Sequence, residues 1–402
     1  MEKSLLTGSF QWMKSLNKSV ILNLIREKEP ISRAEIAKLT KLTPPTVSNL
    51  VKELLETGII IETELGESSG GRKPTLLKLN SGRFLIIGLD IGSHHLKVIV
   101  ANLNGDILRK QVFQMPSPIT NDGLLELMKK AIGSIQDKSE TGMDQVLGIG
   151  VAMHGIVDAE EGLSIFGPNL KLKNIPIKEV LEQEFNIPVM VENDARAMSL
   201  GELWFGHGAG VDSLVCINVG RGIGAGIIID GKIYRGQHDI SGEIGHMTID
   251  IDGPKCTCGN YGCLQTFASG PAIAEQVKKE LRRGTPSKVT ELAGDIDGVT
   301  GEFIYKAALL GDSLCQSVLN QAGRYLGVGI TNLIHTINPE RIIIGGGVSN
   351  ASEFVVKNVV EAIEQRTLTQ SARQTQIMAS KFGEDATVIG AVALILVQIF
   401  SA

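Results

Sequence analysis

The sequence predicts an α/β protein in which a small helical head precedes a larger body. Three observations predict it. At 402 residues the chain is too long for one small core, so two or three domains are expected. The residues up to about position 80 pattern as short helices followed by a hairpin. From Phe84 onward, apolar strands alternate with helical periods, the pattern of α/β sheets with covered faces. Hydrophobic residues make up 43% and charged residues 21%, which fits a soluble globular chain and excludes a disordered or membrane-embedded one.

The head comes first. Val20, Ile21, Leu24 and Ile25 set a helical period over Asn17 to Lys28, which Pro30 stops. Ser32 then starts a short helix, with Glu35 at the capping-box position and Ala34, Ile36, Ala37 and Leu39 following. A third helix begins with Thr43 as N-cap and Pro44 in its first turn, where the missing N–H costs nothing. Its buried stripe is Val47, Leu50, Val51, Leu54 and Leu55, and Gly58 ends it. Ile59–Glu64 and Thr75–Leu79 alternate as strands, joined by a Gly-rich tip that carries Arg72 and Lys73. Three short helices and a hairpin make a winged helix-turn-helix. Thr46, Ser48, Asn49 and Lys52 point away from the apolar stripe and suit base edges and phosphates in a major groove. Arg72 and Lys73 suit the minor groove or a phosphate clamp. The alternative is a small protein-binding domain with a solvated polar face. Charge tilts the reading toward DNA: residues 1–82 hold 12 Lys+Arg against 9 Asp+Glu, and the rest of the chain 27 against 35.

In the body, strands are expected at Phe84–Asp90, Leu96–Leu103, Val146–Met153, Pro188–Val191, Leu214–Val219, Ile227–Asp230 and Arg341–Ile344. Hairpin turns are expected at Asn104-Gly105 and Asp230-Gly231. Helical patterns cover Leu124–Ile135, Ile177–Phe185, Ala195–Leu203, Pro271–Arg282, Ser313–Ile337 and Ser352–Glu364. The apolar run Ala386–Phe400, interrupted by Thr387, Gly390 and Gln398, reads as a buried helix rather than a membrane span. No apolar leader is visible at the N-terminus, so a cytoplasmic protein with reduced cysteines is expected.

The stretch from Gly242 to Leu264 carries the sharpest chemical signal. His246 stands nine intervening residues ahead of Cys256, Cys258 and Cys263, and three of the five cysteines fall within eight residues. Glycines at Gly259 and Gly262 let the loop curl, so four borderline ligands can close on one tetrahedral ion. A structural Zn²⁺ site is therefore expected. A redox pair is disfavoured because C-x-C lacks the spacing of C-x-x-C.

These motifs together resemble the actin/hexokinase-like ATPase fold and, within it, the ROK family of repressors, open reading frames and kinases. The resemblance rests on G-H-x9-C-x-C-G-x2-G-C, Asp90-Ile91-Gly92, Glu192-Asn193-Asp194-Ala195, Gly222-Ile223-Gly224-Ala225-Gly226 and Gly345-Gly346-Gly347, and it covers nearly the whole chain. The winged helix resembles that of the family's transcription factors, the type that answers xylose, glucose or N-acetylglucosamine. The resemblance implies a body of two α/β lobes with a hexose in the cleft between them, held by Asn169, Asn193, Asp194, Glu243 and His246. It makes Asp194 the general base if the chain is a kinase, and lets His246 bridge metal and sugar. Read from residues alone, Asn193 and Asp194 are sooner a helix cap, and Asn169 is a turn residue by default. Gln265 stands where the family's kinases carry a sugar-binding Glu, which bears on which sugar binds.

The phosphate loops depart further. Ser93-His94-His95 adds bulk after Gly92, and Arg221 replaces a small residue. The Gly-rich loops at Gly222–Gly226 and Gly345–Gly347 then read as tight packing before phosphate cradles. The expectation is a sugar-responsive DNA-binding repressor, not an enzyme, with an ATP-dependent hexose kinase bearing a DNA head as the alternative. Expected partners are operator DNA, a monosaccharide and a second copy of the chain in a homodimer or tetramer, with no membrane. Expected domains are 1–80 (head), 81–200 (first lobe) and 201–402 (second lobe with the metal). Ser313–Ile337 and the C-terminal helix are the expected dimer seam.

Overall fold

The computed structural model describes residues 10–65, 74–135 and 145–401. In the head, helices Phe10–Lys28, Arg33–Thr40 and Pro44–Thr57 precede the strands Ile60–Leu65 and Thr75–Leu79. The expected caps form. Ser32 Oγ accepts from Glu35 N at 3.2 Å while Ser32 N donates to Glu35 Oε2 at 3.0 Å, and Thr43 Oγ1 accepts from Thr46 N at 3.4 Å. Gly58 ends the third helix with φ 76°, a left-handed turn that glycine adopts without strain. Ile31–Ser32 adds a third strand beside Thr75–Leu79. Two residues are too few for a periodicity, so the sequence does not announce it.

The first lobe is a five-stranded sheet in the order Val189–Asn193, Val146–Met153, Leu85–Ile91, His95–Asn102, Ile107–Gln114. The first three strands run parallel and the last two antiparallel. The pleat sorts its side chains. Leu85, Ile87 and Leu89 pack with Leu124, Met128 and Ile132 of helix Asn121–Ile135, while Ile86 packs with Val388 and Val392 on the opposite face. The second lobe is another five-stranded sheet: Lys232–Ile233, Ile223–Ile229, Leu214–Val219, Arg341–Gly345, Gln376–Ala379. Helices Gly270–Arg282, Ser313–Ile337 and Ser352–Arg366 cover its outer face through one core that includes Val215, Ile217, Val277, Leu319 and Val359.

Two helices lie between the sheets. Asp194–Phe205 packs on the second lobe, with Met198 against Cys216 and Ile343, and Ala386–Phe400 packs on the first. Their close approach needs missing side chains. A Cβ on Gly150 would sit 1.8 Å from Ala391 O, and one on Gly390 would sit 2.0 Å from Ala197 O. The C-terminal helix is thus a core element that returns to the first lobe, although the domain reading by sequence order assigns it to the second. Its inner face is not left for a partner, since Val388, Ala391, Val392 and Leu396 are each fully buried within this chain. The surrounding stretch Gly383–Phe400 is long and apolar enough to cross a membrane, and here its apolarity is met by the two sheets and their helices.

The head is not a separate bead. Ile21, Ile25 and Leu54 belong to the same core as Ile86, Ile99, Val392 and Phe400. Asn23 Nδ2 donates to Phe400 O at 2.9 Å, and Trp204 meets Phe400 edge-on at 5.3 Å. One turn departs from expectation. At Asp230-Gly231 both residues take positive φ, as a two-residue hairpin needs, but at Asn104-Gly105 only Gly105 does. There Asn102 Oδ1 accepts from the backbone of Asn104 and Asp106 and shapes a longer turn.

Candidate functional site

The metal cluster forms locally. A single turn, Ile244–His246, presents the imidazole, and the chain doubles back so that Thr248 pairs with Cys263 and Lys255 with Tyr261. Gly262 takes φ 64°, and a Cβ there would lie 1.4 Å from Asp250 O, so no other residue lets the loop close. The ligand atoms of His246, Cys256, Cys258 and Cys263 all lie within 4.8 Å of one another. Cys258 Sγ and Cys263 Sγ are 3.8 Å apart, and His246 Nδ1 and Cys256 Sγ 3.7 Å. The sulfur pair is too far apart for a disulfide, whose S–S bond is about 2.05 Å. Tetrahedral bonds to one zinc-sized ion put two sulfurs about 3.8 Å apart and a sulfur and nitrogen about 3.6 Å apart. The residues therefore fit a closed metal site. The thiols are unequal. Burial alone would raise Cys256, but hydrogen bonds from Cys258, Gln265 and His246 bring it down to about 6. Burial and the two neighbouring sulfurs push Cys263 up to about 12, a crowding of anionic sulfur that a cation relieves.

His246 has two faces. Its Nδ1 turns to Cys256, and its Nε2 lies 4.0 Å from Glu243 Oε2. Burial raises the pKa of Glu243, His246 opposes the rise, and the Asp194 carboxylate adds to it. Asp194 is half-buried at the start of helix Asp194–Phe205. Its Oδ2 accepts from Asn218 Nδ2 at 3.3 Å and its Oδ1 from Ala195 N at 2.9 Å. Burial raises its pKa as well, against the neighbouring imidazole of His154 and hydrogen bonds from the Ala195 backbone and the Asn193 side chain. The fold thus brings Asp194, Glu243 and His246 near one another.

Asn193 is the cap of that helix. Its Oδ1 accepts from Ala195 N and Arg196 N at 3.0 and 3.2 Å, and its Nδ2 donates to Gly155 O at 2.9 Å. Gly155 in turn packs under the turn that leads to Asn169: a Cβ on it would meet Phe166 O at 2.2 Å and Pro168 Cδ at 2.6 Å. Asn169 itself is exposed in the turn after Leu163–Gly167. Gln265 sends its Nε2 to Cys256 Sγ at 3.2 Å, and its Oε1 lies beside Gly222. Its amide is engaged with the metal cluster on one side and the Gly-rich loop on the other.

Sequence reasoning missed the ion network that holds the cleft wall. Glu192 is fully buried, with Arg235 Nη2 on its Oε2 at 2.6 Å and Arg196 Nη1 on its Oε1 at 3.3 Å. Arg196 also donates to Asp239 O and Ser241 O. These bonds tie the segment 235–241, just ahead of Glu243, to the strand and helix that carry Asn193 and Asp194. The available signal was an acid in an apolar strand with an arginine four positions on.

On the phosphate side, Asp90 is pushed up to about 7 by burial, opposed by Lys97 and reinforced by Asp194 and Asp385. An Arg221 guanidinium N–H donates to His94 Nε2. The two bulky departures from a small-residue loop therefore meet each other, one from each lobe. In the head, Ser48, Asn49 and Lys52 are exposed on the third helix, while the Thr46 hydroxyl bonds Thr43 Oγ1 at 2.8 Å. Lys52 stands 3.9 Å from Glu56, one turn on. Arg72 and Lys73 lie outside the described residues.

A winged helix-turn-helix fixed to a two-lobed, hexokinase-like body defines the class of protein. The chain belongs to the ROK family, whose model matches residues 86–398, and a winged helix-turn-helix DNA-binding model matches residues 17–61. The xylose repressor of Caldicellulosiruptor bescii is 35% identical over 98% of this chain and 98% of its own length. A solved ROK family transcriptional regulator, a homolog of the E. coli MLC protein, superposes with TM-score 0.83 at 32% identity, covering 96% of this chain and 97% of its own. A ROK family glucokinase from Streptomyces griseus, solved with glucose and AMPPNP, superposes with TM-score 0.71 at 32% identity, over 77% of this chain and 98% of its own.

Proposed function

We propose that this chain is a sugar-responsive repressor of carbohydrate-utilisation genes. The observation that carries the reading is the helix Asp194–Phe205. It begins in the cleft and ends where Trp204 stacks on Arg26 of the DNA-binding head. Twelve residues of helix span about 18 Å without a break, so a shift at one end is delivered to the other.

In this reading a monosaccharide occupies the cleft. Asn169 and the Asn193–Asp194 pair meet one edge, and Glu243 and His246 meet the other, with Gln265 at the rim. Acids kept in a half-buried site gain when sugar hydroxyls donate to them, which favours a polyol over an apolar ligand. His246, Cys256, Cys258 and Cys263 hold a structural Zn²⁺, which neutralises the thiolates and cross-links the loop behind Glu243. Thr46, Ser48, Asn49 and Lys52 read operator DNA in the major groove, and Arg72 and Lys73 contact its backbone or minor groove. Two copies, or four, place two heads on half-sites about one helical turn or a multiple apart. Xylose leads the candidate effectors because a repressor so named is alike over nearly its full length, followed by glucose and N-acetylglucosamine. Domain boundaries near residues 80 and 200 suit this division, with Ala386–Phe400 returning to the first lobe, and the setting is the cytoplasm.

Sugar must bind the DNA-incompetent arrangement more tightly for induction to follow. The contact between His94 and Arg221 favours this reading over a kinase, since it fills the space between the two phosphate loops. The deciding experiment is operator binding titrated with D-xylose, D-glucose and N-acetyl-D-glucosamine. An operator complex whose affinity no sugar alters would end the effector reading. ADP release over the same sugars, with Asp194→Asn as control, would restore the kinase if turnover depended on Asp194.

A further inference from the structure

His154 follows the strand Val146–Met153 and is 7% exposed. Its Nδ1 lies 3.0 Å from Ile91 O. A carbonyl can only accept, so Nδ1 carries a proton, and in the neutral tautomer that leaves Nε2 as a bare acceptor. That Nε2 is buried and has no partner among the described residues. Most buried polar atoms are paired, so an orphan of this kind calls for a specific reason.

Its surroundings supply one. A Cβ built on Gly167 would lie 3.5 Å from Nε2, which places the nitrogen under the turn that leads through Pro168 to Asn169. The next residue, Gly155, accepts from Asn193 Nδ2. On the other side the ring neighbours the Asp194 carboxylate. The orphan acceptor thus stands among the Asn169 turn, Asn193 and Asp194.

We propose that His154 is a specificity-determining residue of the cleft, whose Nε2 accepts a hydrogen bond from one hydroxyl of the bound monosaccharide. The inference rests on the sugar-binding reading above and adds to it the position that demands a donor. A ligand with hydrogen in place of that hydroxyl leaves the nitrogen unpaired and is rejected, because a buried polar atom without a partner keeps its full desolvation cost.

Two substitutions separate this role from a structural one. The amide of His154→Asn reaches the position of Nδ1 and keeps the bond to Ile91 O, but places nothing at Nε2. His154→Gln places a polar atom at Nε2 and gives up the bond to Ile91 O. Calorimetry is run on wild type and both variants with D-xylose, D-glucose and N-acetyl-D-glucosamine, then with the monodeoxy analogues of whichever binds. In wild type one monodeoxy analogue binds about tenfold or more weakly than its parent. In His154→Asn the parent falls to the level of that analogue while the melting temperature stays near wild type, and His154→Gln recovers part of the discrimination. If His154→Asn still separates parent from analogue, His154 is a core residue only. If wild type binds none of the sugars, the sugar reading fails and this inference with it.

Discussion

The guanidinium carbon of Arg26, in the first helix of the head, lies 3.9 Å from the centre of the Trp204 ring in the body. Arg26 is also 5.8 Å from the Phe400 ring, so one cation spans the ends of both central helices. Cation–π contacts of this kind contribute about 0.5–2 kcal/mol, on the scale of an allosteric coupling of about 1–3 kcal/mol. Replacement of Trp204 by Leu keeps apolar bulk and removes the face that holds Arg26. Sugar affinity and operator affinity should each stay within a few-fold of wild type. The change in operator affinity on adding sugar should shrink by at least half. Unchanged coupling would show that the signal travels another way.

The second prediction concerns the metal. Stripping it, or replacing Cys263 by Ser, should lower the melting temperature and weaken sugar binding, because the ligand bonds form only in the folded loop. Metal analysis should give one zinc per chain in wild type. An equal melting temperature in a verified metal-free sample would remove the ion from the structural account.

Asp90 sets the third. Its pKa rises from the ordinary 3.8 to about 7, through burial foremost, with Asp194 and Asp385 adding and Lys97 opposing. Between those values the folded chain holds a proton that the unfolded chain has released. Stability is therefore fullest below 3.8 from this group and falls as pH rises toward 7. Asp90→Asn should flatten that decline and raise the melting temperature above neutral pH. Parallel melting curves for wild type and variant across the window would contradict it.

The fourth tests the head. Lys52→Ala should weaken all DNA alike and lower the salt slope of binding by about 1, as expected for one lost phosphate contact. Asn49→Ala should instead relax preference at one base pair by about 1–3 kcal/mol. Fluorescence anisotropy on an operator and its single-base variants, at several salt concentrations, separates the two. Identical behaviour in both variants would show that this face does not read sequence.

Much of the site was legible because its signals are local. The spacing of His246, Cys256, Cys258 and Cys263 anticipates a cluster whose ligand atoms fall within 4.8 Å, since a short loop closed at Gly262 leaves few other arrangements. The capping box at Ser32 and Glu35 is likewise complete within one turn. Contacts between distant segments were not legible. Nothing in the spacing of His94 and Arg221, or of Glu192 and Arg235, announces that they meet.

By itself, then, the sequence determined the long helices and central strands, the head, the spacing of the metal loop and the family, because periodicity, caps and ligand spacing act within a few residues. The edge strands Ile107–Gln114 and Gln376–Ala379 went unannounced. The tertiary structure alone decided where the C-terminal helix goes. An apolar helix reads the same whether a partner or its own chain covers it, and glycines at Gly150 and Gly390 let its own sheet and helix approach first. It alone also decided that Trp204 meets Arg26. That contact depends on how two helices pack between two sheets, which is a sum over the whole core rather than a property of any stretch.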